Sequence, residues 1–306
     1  MPLDDTDPMH GLLRLLDLAE VGEARIAVSG AADAIQDAER GMRVFVGPSK
    51  RTPQERVFGG QVLAQCVIAA GRTVADVAPT RRIHSLHGYF IRPGDDKHPI
   101  RFAVESLRDG NSFSTRRVHA LQHGHAILSM ITSFQEPAVG LDHQDPMPDV
   151  APPEEVEPWP PAVGEEYAEW RRRRLVELRH VEGHLFRDAI EPVSASQHVW
   201  MKTIAPLPDD PLLHAAVLAF ASDYTLLEGV LRRHGLGWTD PRLRVASLDH
   251  AMWFHRPARA DEWLLYAEHS PSAQGGRGLG RGRMYARDGV LVASVAQEGM
   301  VRVKGE

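Results

Sequence analysis

The chain has 306 residues, of which 43% are hydrophobic and 25% are charged, a composition typical of a folded globular protein. This length is enough for one large domain or for two of roughly 150 residues each. The formal net charge of −6 lacks the basic excess that is typical of proteins that bind nucleic acid. Cys66 is the single cysteine, which excludes an internal disulfide and a cysteine-based zinc site and favours a reducing compartment.

The amino-terminal segment does not have the pattern of a targeting sequence. It is acidic where a secretory signal would be basic, and Arg14 and Asp17 interrupt its apolar run. No stretch of the chain approaches the roughly 18 to 20 uncharged apolar residues that are needed to span a bilayer. We therefore expect no membrane span and a cytoplasmic location.

The first predicted elements are a short amphipathic helix over residues 11–20 and strand-like alternation within residues 24–48. Residues 58–75 follow, and they are almost wholly apolar from the Gly59-Gly60 pair onward. A helix that is apolar on all sides is normally buried, so this segment predicts a central core helix.

Several strand-like runs come after this helix, and turn residues such as Asp109-Gly110-Asn111 and His123-Gly124 separate them. The runs span residues 83–91, 100–107, 112–122 and 126–135. One helix that is followed by consecutive antiparallel strands indicates an α+β fold rather than a βαβ arrangement.

The middle of the chain has a different composition. Residues 136–163 are rich in proline and acidic residues, which predicts an extended linker. Residues 164–188 carry acidic residues before basic ones, which favours a charged, solvated helix.

The second half of the chain repeats the pattern of the first. Residues 212–231 predict another apolar helix, and strand-like runs follow it over residues 244–255, 263–269, 277–286 and 290–303. Phe90–Pro93 matches Phe254–Pro257 at an offset of 164, and Ser133–Glu136 resembles Val295–Glu298 at an offset of 162. Two anchors in the same order indicate an internal duplication.

The predicted fold class is therefore α+β, with two antiparallel sheets that each wrap around one buried helix. This arrangement is a double hotdog, in which the two units pair as a pseudo-dimer. We expect an N-terminal hotdog over residues 1–136, a proline-rich linker with a charged helix over 137–190, and a C-terminal hotdog over 191–306.

Polar residues inside apolar segments are the candidates for chemistry. Asp223 interrupts the second apolar helix, Gln297 lies in an apolar final strand, and Ser247 precedes the Asp249-His250 pair. A carboxylate on a buried helix is costly unless it is paired or used. From the pattern alone, the structural interpretations come first: a surface-facing or capping aspartate, an edge or satisfied core amide, and strand-start hydrogen bonding. A shared catalytic role for the three residues is only a loose hypothesis at this point.

Other motifs give weak signals. The glycine-rich run Gly275–Gly280 opens a strand, whereas a phosphate site needs a helix amino terminus behind it. His180 and His184 are four residues apart, but the glutamate between them is misplaced for a zinc protease. These patterns predict no metal site.

Longer motifs resemble the acyl-CoA thioesterase II family. The resemblance covers nearly the whole chain apart from about residues 137–190, and it rests on Val57–Gln61, Tyr89–Asp95, Leu107–Phe113, Ala221–Asp223, Asp249–Pro257 and Val295–Gly299. It implies a double hotdog that hydrolyses fatty acyl-CoA to fatty acid and CoA without a cofactor. It also implies acyl-CoA as the partner and an oligomer of identical chains.

The resemblance assigns the site residues as well. Asp223, Gln297 and Ser247 fall on the positions that together hold the attacking water, and many members have Thr where this chain has Ser. We expect substrate binding at Gly59 and Gly60. Our hypothesis is that their backbone N–H groups stabilise the oxyanion. At an offset of 163 to 164, Asp223 aligns with this glycine pair, which predicts one Asp-centred site per chain.

Two other functions remain open at this point. A hotdog enoyl-CoA hydratase would use an Asp-His pair, which Asp249-His250 supplies by sequence, although adjacent strand residues point to opposite faces. A non-catalytic acyl-CoA-binding protein would not need Asp223, Ser247 and Gln297 together. Thiol release from acyl-CoA distinguishes the three functions.

Overall fold

The structure, a computed structural model, describes residues 8–24, 41–158, 174–186 and 194–305. The helices are α1 Pro8–Leu16, α2 Gly59–Ala75, α3 Pro211–Ser222 and α4 Glu228–Arg233, with a 3₁₀ turn at Pro153–Glu155. The strands are β1 Ala19–Ala24, β2 Met42–Gly47, β3 Arg82–Phe90, β4 Ile100–Asp109, β5 Phe113–Gln122, β6 His125–Gln135, β7 Val176–His180, β8 Ser196–Thr203, β9 Leu243–Ser247, β10 Asp249–Phe254, β11 Leu264–Gln274, β12 Arg277–Ala286 and β13 Leu291–Val303.

The strands of the described residues form one antiparallel sheet in which each half contributes six strands to the main row, and equivalent strands follow in the same order from the two edges to the centre. The order is β1-β2-β4-β5-β6-β3 followed by β10-β13-β12-β11-β8-β7, and β9 pairs with β13 at the side. The halves join where β3 pairs with β10, and His87 lies opposite Ala251 there. These two residues are 164 apart, the offset that also relates Phe90 to Phe254. A pseudo-twofold axis therefore passes through this pair and exchanges the two hotdogs.

Helices α2 and α3 pack against each other in antiparallel directions. Gly60 in the first turn of α2 lies against the Phe220 carbonyl near the end of α3, and Gly71 lies against Leu212 near its start. A Cβ at either glycine would overlap its neighbour, so the close approach of the two helices requires the missing side chains. The main hydrophobic cluster, which includes Val67 of α2, runs through both halves.

The second predicted apolar helix is not continuous. The prediction of one helix over residues 212–231 is wrong, because α3 ends at Ser222 and α4 begins only at Glu228. Asp223 is the C-cap residue directly after α3, and its side chain accepts a hydrogen bond from outside the helix, from the Gly60 N–H. The break therefore places this carboxylate at the helix terminus.

The predicted charged helix over residues 164–188 is also wrong within the described part of the chain. Val176–His180 forms β7, whose residues alternate between buried and half-buried, and it pairs with β8 of the C-terminal sheet. The alternating apolar pattern and the pairing with β8 outweigh the helical charge pattern. The rest of the predicted helix lies mostly in residues 159–173 and 187–193, outside the described residues.

The segment before β7 lies across the outer face of the C-terminal sheet. Met147, Val150 and Val156 pack against a small apolar cluster that contains Trp200 and Tyr285. The indole of Trp200 donates to the carbonyl oxygen of Ala151 at 2.9 Å. The segment thus covers apolar sheet surface that would otherwise face solvent. Within the described ranges, no helix has the length and apolar character needed to cross a membrane.

Candidate active site

The amino terminus of α2 and the carboxyl end of α3 meet at Asp223. The backbone N–H of Gly60 donates to Asp223 Oδ2 at 2.8 Å. Gly59 makes this approach possible, because a Cβ there would lie only 2.6 Å from the same oxygen. Donors in the first turn of a helix have no intrahelical partner, and the helix dipole favours a negative charge beside them. The Gly60 N–H thus binds the carboxylate, and the missing side chain of Gly59 leaves room for it.

The other carboxylate oxygen contacts both predicted partners of Asp223. Ser247 Oγ donates to Asp223 Oδ1 at 3.2 Å, and Gln297 Nε2 donates to the same oxygen at 3.0 Å. Gln297 Nε2 also lies 2.6 Å from Ser247 Oγ. The pairing of β9 with β13 aligns Ser247 with Gly299, two residues beyond Gln297. The structure therefore brings the three predicted site residues into mutual contact.

His250 is a further member of this cluster, although the sequence suggested it only as half of a hydratase Asp-His pair. Its Nδ1 lies 2.5 Å from Gln297 Oε1, and its Nε2 lies 2.9 Å from Ser222 Oγ. Burial lowers the pKa of His250 to about 4, so the ring is neutral near pH 7. The amide oxygen of Gln297 can only accept, so Nδ1 carries the ring proton and the unprotonated Nε2 faces the Ser222 hydroxyl. His250 thus fixes the Gln297 amide with its nitrogen toward Asp223.

The neighbouring Asp249 has different partners. Its Oδ1 accepts from the backbone N–H of Glu298 at 2.7 Å, whereas His250 bonds Gln297 and Ser222. The two side chains therefore do not form the Asp-His pair that a hydratase would use, in accordance with the alternation of a strand. The sequence does contain one signal for His250: it shares the inward-facing side of β10 with the apolar residues Met252 and Phe254.

The environment of Asp223 changes its proton affinity. The side chain is half-buried, and desolvation raises the pKa of Asp223 to about 6. Hydrogen bonds from Gln297, Gly60 and Ser247 oppose this shift, because they stabilise the charged form. A carboxylate with this pKa accepts a proton more readily than an ordinary aspartate and is still ionised at neutral pH.

Aromatic rings form an apolar wall beside the carboxylate. Phe58 lies edge-on to Phe220, with ring centroids 5.3 Å apart, and its centroid is 4.8 Å from that of Tyr224. Phe90 approaches the same place, since its Cζ would lie 2.9 Å from a Cβ on Gly59. Phe58, Phe90 and Tyr224 are half-buried. The polar cluster therefore borders a surface suited to an apolar chain.

The pseudo-symmetric position in the other half has a different arrangement. Helix α3 begins at Pro211 as α2 begins at Gly59, an offset of 152 that relates Asp223 to Gly71. In place of a carboxylate and a backbone donor, the Leu212 side chain packs against Gly71. The sequence alignment of Asp223 with Gly59 and Gly60 is thus wrong as a structural equivalence. Asp223 and the glycine pair instead contact each other across the α2–α3 interface, because the two helices run antiparallel. The helix starts are 152 residues apart, whereas the paired strands β3 and β10 are related by 164.

Potential metal ligands lie elsewhere in the described part of the chain. The polar groups around Asp223 are a carboxylate, a hydroxyl, an amide and a neutral imidazole, and they bond to one another. A group whose donor atoms are close enough to hold a metal consists of Asp95, His98 and His123. The weak His180 candidate instead bonds Glu228 through its Nε2 at 3.1 Å.

Comparison with known proteins identifies relatives along most of the chain. Residues 48–135 match the family described as the acyl-CoA thioesterase N-terminal domain, and residues 180–300 match the one described as acyl-CoA thioesterase. Acyl-CoA thioesterase 2 of Haemophilus influenzae is 38% identical over 272 residues, which cover 85% of this chain and 92% of that protein.

Solved structures agree with these matches. An acyl-CoA thioesterase II from Mycobacterium marinum superposes with a TM-score of 0.72 at 40% identity and covers 97% of this chain and 99% of its own. A conserved protein with the hot dog fold from Alicyclobacillus acidocaldarius superposes with a TM-score of 0.73 at 19% identity, covering 96% and 98% of the two chains, and shows the fold alone. The chain has the double hotdog fold and belongs to the acyl-CoA thioesterase family of thioester hydrolases.

Proposed function

We propose that the chain hydrolyses fatty acyl-CoA thioesters by direct attack of a water that Asp223, Ser247 and Gln297 hold. The observation that carries this proposal is the contact of all three side chains around one carboxylate oxygen, Asp223 Oδ1. The name of the relative from Haemophilus influenzae supports acyl-CoA as the substrate.

The proposed reaction needs no covalent intermediate on the protein. Asp223 accepts a proton from water while the water oxygen attacks the thioester carbonyl carbon, and the carbonyl oxygen becomes an oxyanion. The oxyanion collapses, the carbon–sulfur bond breaks, and the CoA thiolate takes the proton from Asp223. The products are the carboxylic acid and the CoA thiol, and Asp223 is again a carboxylate.

The neighbours of Asp223 have distinct roles in this scheme. The Ser247 hydroxyl and the Gln297 amide orient the water, and correct orientation lowers the entropic part of the barrier. His250 is a positioning residue, since it acts only through the Gln297 amide. The Gly60 N–H holds Asp223 Oδ2, so we assign the Gly59 N–H as the oxyanion donor within the proposed pair.

The aromatic wall supports an apolar acyl group. Phe58, Phe90 and Tyr224 present half-buried rings next to the carboxylate. Each buried methylene contributes about 0.8 kcal/mol to binding, so longer acyl chains gain affinity until the wall ends. We therefore propose fatty acyl groups rather than small polar ones as substrates.

A panel of saturated acyl-CoAs tests the proposal, with thiol release measured in solution and products identified by mass spectrometry. Free fatty acid and CoA in equal amounts support it. A hydrated acyl-CoA with the thioester intact would indicate a hydratase, and binding without turnover would indicate a non-catalytic protein. The cytoplasmic location and the homo-oligomer also belong to this proposal, and cell fractionation and light scattering test them.

A further inference from the structure

A second cluster of polar side chains lies in the N-terminal half and contains none of the active-site residues. Asp95 and His98 lie in the loop between β3 and β4, and His123 lies in the tight turn between β5 and β6. One donor atom from each residue lies within 4.8 Å of the donor atoms of the other two. Both imidazoles are exposed and Asp95 is half-buried, so the cluster is accessible to an ion from solvent.

The separations of these atoms suit a small cation. His98 Nδ1 lies 2.9 Å from Asp95 Oδ2, and His123 Nε2 lies 3.7 Å from the same oxygen. Ligand atoms around a tetrahedral zinc ion are about 3.3 Å apart, given bonds of about 2.0 to 2.1 Å. The observed distances lie on either side of that value, so small side-chain shifts would complete the geometry.

A buried side chain holds the two loops in this arrangement. Gln122 directly precedes His123, and its Oε1 accepts from the Asp95 N–H at 2.8 Å. Its Nε2 donates to the carbonyl oxygens of Asp95 at 2.8 Å and His98 at 2.9 Å. The N–H of Lys97 donates to Asp95 Oδ1 at 2.8 Å, which leaves Oδ2 toward the imidazoles. The backbone segments that carry the three donors are thus held next to each other before any ion binds.

We propose that Asp95, His98 and His123 bind one divalent transition-metal ion of the zinc type, with water completing the coordination. Two imidazoles and one carboxylate form a donor set that suits zinc, whereas magnesium and calcium prefer sites made of oxygen alone. The residue order alone predicts no metal site here, because these residues come from separate loops and have no recognisable spacing.

The position of the site predicts a stabilising effect. The loop that carries Asp95 and His98 is bonded to the segment before α2, since Val57 N donates to Gly94 O at 3.0 Å and Thr52 N donates to Asp96 Oδ2 at 2.7 Å. A bound ion would cross-link this loop to the turn that contains His123. Because the ion binds the folded chain, zinc should raise the Tm.

Calorimetric titration of zinc chloride into the full-length, untagged protein tests the proposal. We expect one tight ion per chain, and no binding of magnesium or calcium at the same concentration. His98→Ala, Asp95→Asn and His123→Asn should each weaken zinc binding by at least about tenfold and abolish the zinc-dependent rise in Tm. Asparagine is chosen at position 123 because His123 has a φ of 49°, a conformation that Asn tolerates.

His125→Ala is the matched control, since His125 is exposed and lies two residues beyond His123 but outside the cluster. This variant should bind zinc as the wild type does. The proposal is overturned if the wild type binds zinc no more tightly than His98→Ala, or if His125→Ala lowers the affinity as much as the cluster variants. Melting curves without metal establish that each variant is folded.

Discussion

The backbone N–H of Gly60 donates to Asp223 Oδ2 at 2.8 Å, and this hydrogen bond joins the two halves of the duplicated chain at the candidate active site. One half supplies the positive end of a helix, and the other supplies the carboxylate. The bond occupies Oδ2 and leaves Oδ1 to Ser247 and Gln297. The site therefore depends on the packing of α2 against α3, and neither half contains it alone.

Gly59→Ala tests this close approach. The new Cβ would lie 2.6 Å from Asp223 Oδ2 and 2.9 Å from Phe90 Cζ, so the carboxylate has to move. A misplacement of about 1 Å costs about 100-fold in rate, so we expect kcat to fall by about that factor. Gly140→Ala is the control, because a Cβ there meets nothing within 4 Å. Steady-state kinetics with circular dichroism make the comparison, and an unchanged kcat in Gly59→Ala would contradict the geometry.

The pKa of Asp223 predicts the pH dependence of the rate and of stability. Burial raises it to about 6, so kcat should fall below that pH as the base becomes protonated. The unfolded chain holds this proton less tightly, at the ordinary pKa of 3.8. Because the folded chain binds this proton more tightly than the unfolded chain, the group stabilises the fold fully below about pH 4. This stabilisation, up to about 3 kcal/mol in the free energy of unfolding, is lost as the pH rises through about 6.

Asp223→Asn removes this titration, so the variant should gain stability relative to the wild type as the pH rises. Urea unfolding of both proteins at several values from about pH 4 to about pH 7.5 measures the difference in the free energy of unfolding. All other titrating groups are common to the two proteins and cancel. A difference that stays constant over this range would show that the Asp223 pKa is not raised.

Substitutions of Ser247 separate the hydroxyl from the rest of the side chain. Ser247→Ala removes the donor to Asp223 Oδ1, and hydrogen bonds to charged groups contribute about 1.5 to 3 kcal/mol. We therefore expect kcat/KM to fall by roughly 10- to 100-fold in Ser247→Ala. Ser247→Thr keeps the hydroxyl and should stay close to the wild type. Equal values for the Ala variant and the wild type would mean that the hydroxyl does not orient water.

If His250 positions Gln297, its substitution should lower kcat and leave KM nearly unchanged. His250→Leu removes the donor to Gln297 Oε1, so the amide is free to rotate, and kcat should fall by about 10- to 100-fold with KM little changed. His250→Asn can present an amide N–H near the place of Nδ1 and should recover part of this loss. If kcat falls equally in both variants and in step with the Tm, His250 has only a structural role.

The sequence predicted the elements that depend on local pattern. Residues 58–75 are apolar on every side, and they form α2 as the buried helix that the pattern indicates. The offset of 164 between Phe90 and Phe254 reappears in the pairing of His87 with Ala251. The family resemblance brought Asp223, Ser247 and Gln297 together, where composition and spacing alone left each with a structural interpretation.

Features that arise from tertiary contacts could not be predicted in the same way. The helix ends at Ser222, and the following Asp223 bonds Gly60, a partner 163 positions earlier that no local pattern indicates. Strand β7 exists because β8 lies beside it, although its acidic and basic residues fit a helix equally well. The inward position of His250 in β10 can be read from the alternation of the strand, but its hydrogen bond to the Gln297 amide, 47 residues later, cannot.

The kinetics of Asp223→Asn test the central claim most directly. Asparagine preserves the shape of the side chain and an acceptor for the Gly60 N–H, but it cannot take a proton from water. We expect the variant to fold and to bind acyl-CoA with a Kd close to that of the wild type. Thiol release should fall by roughly 10² to 10⁴, the usual contribution of a positioned general base. Thiol release within a few-fold of the wild type would contradict the account and remove Asp223 from the mechanism.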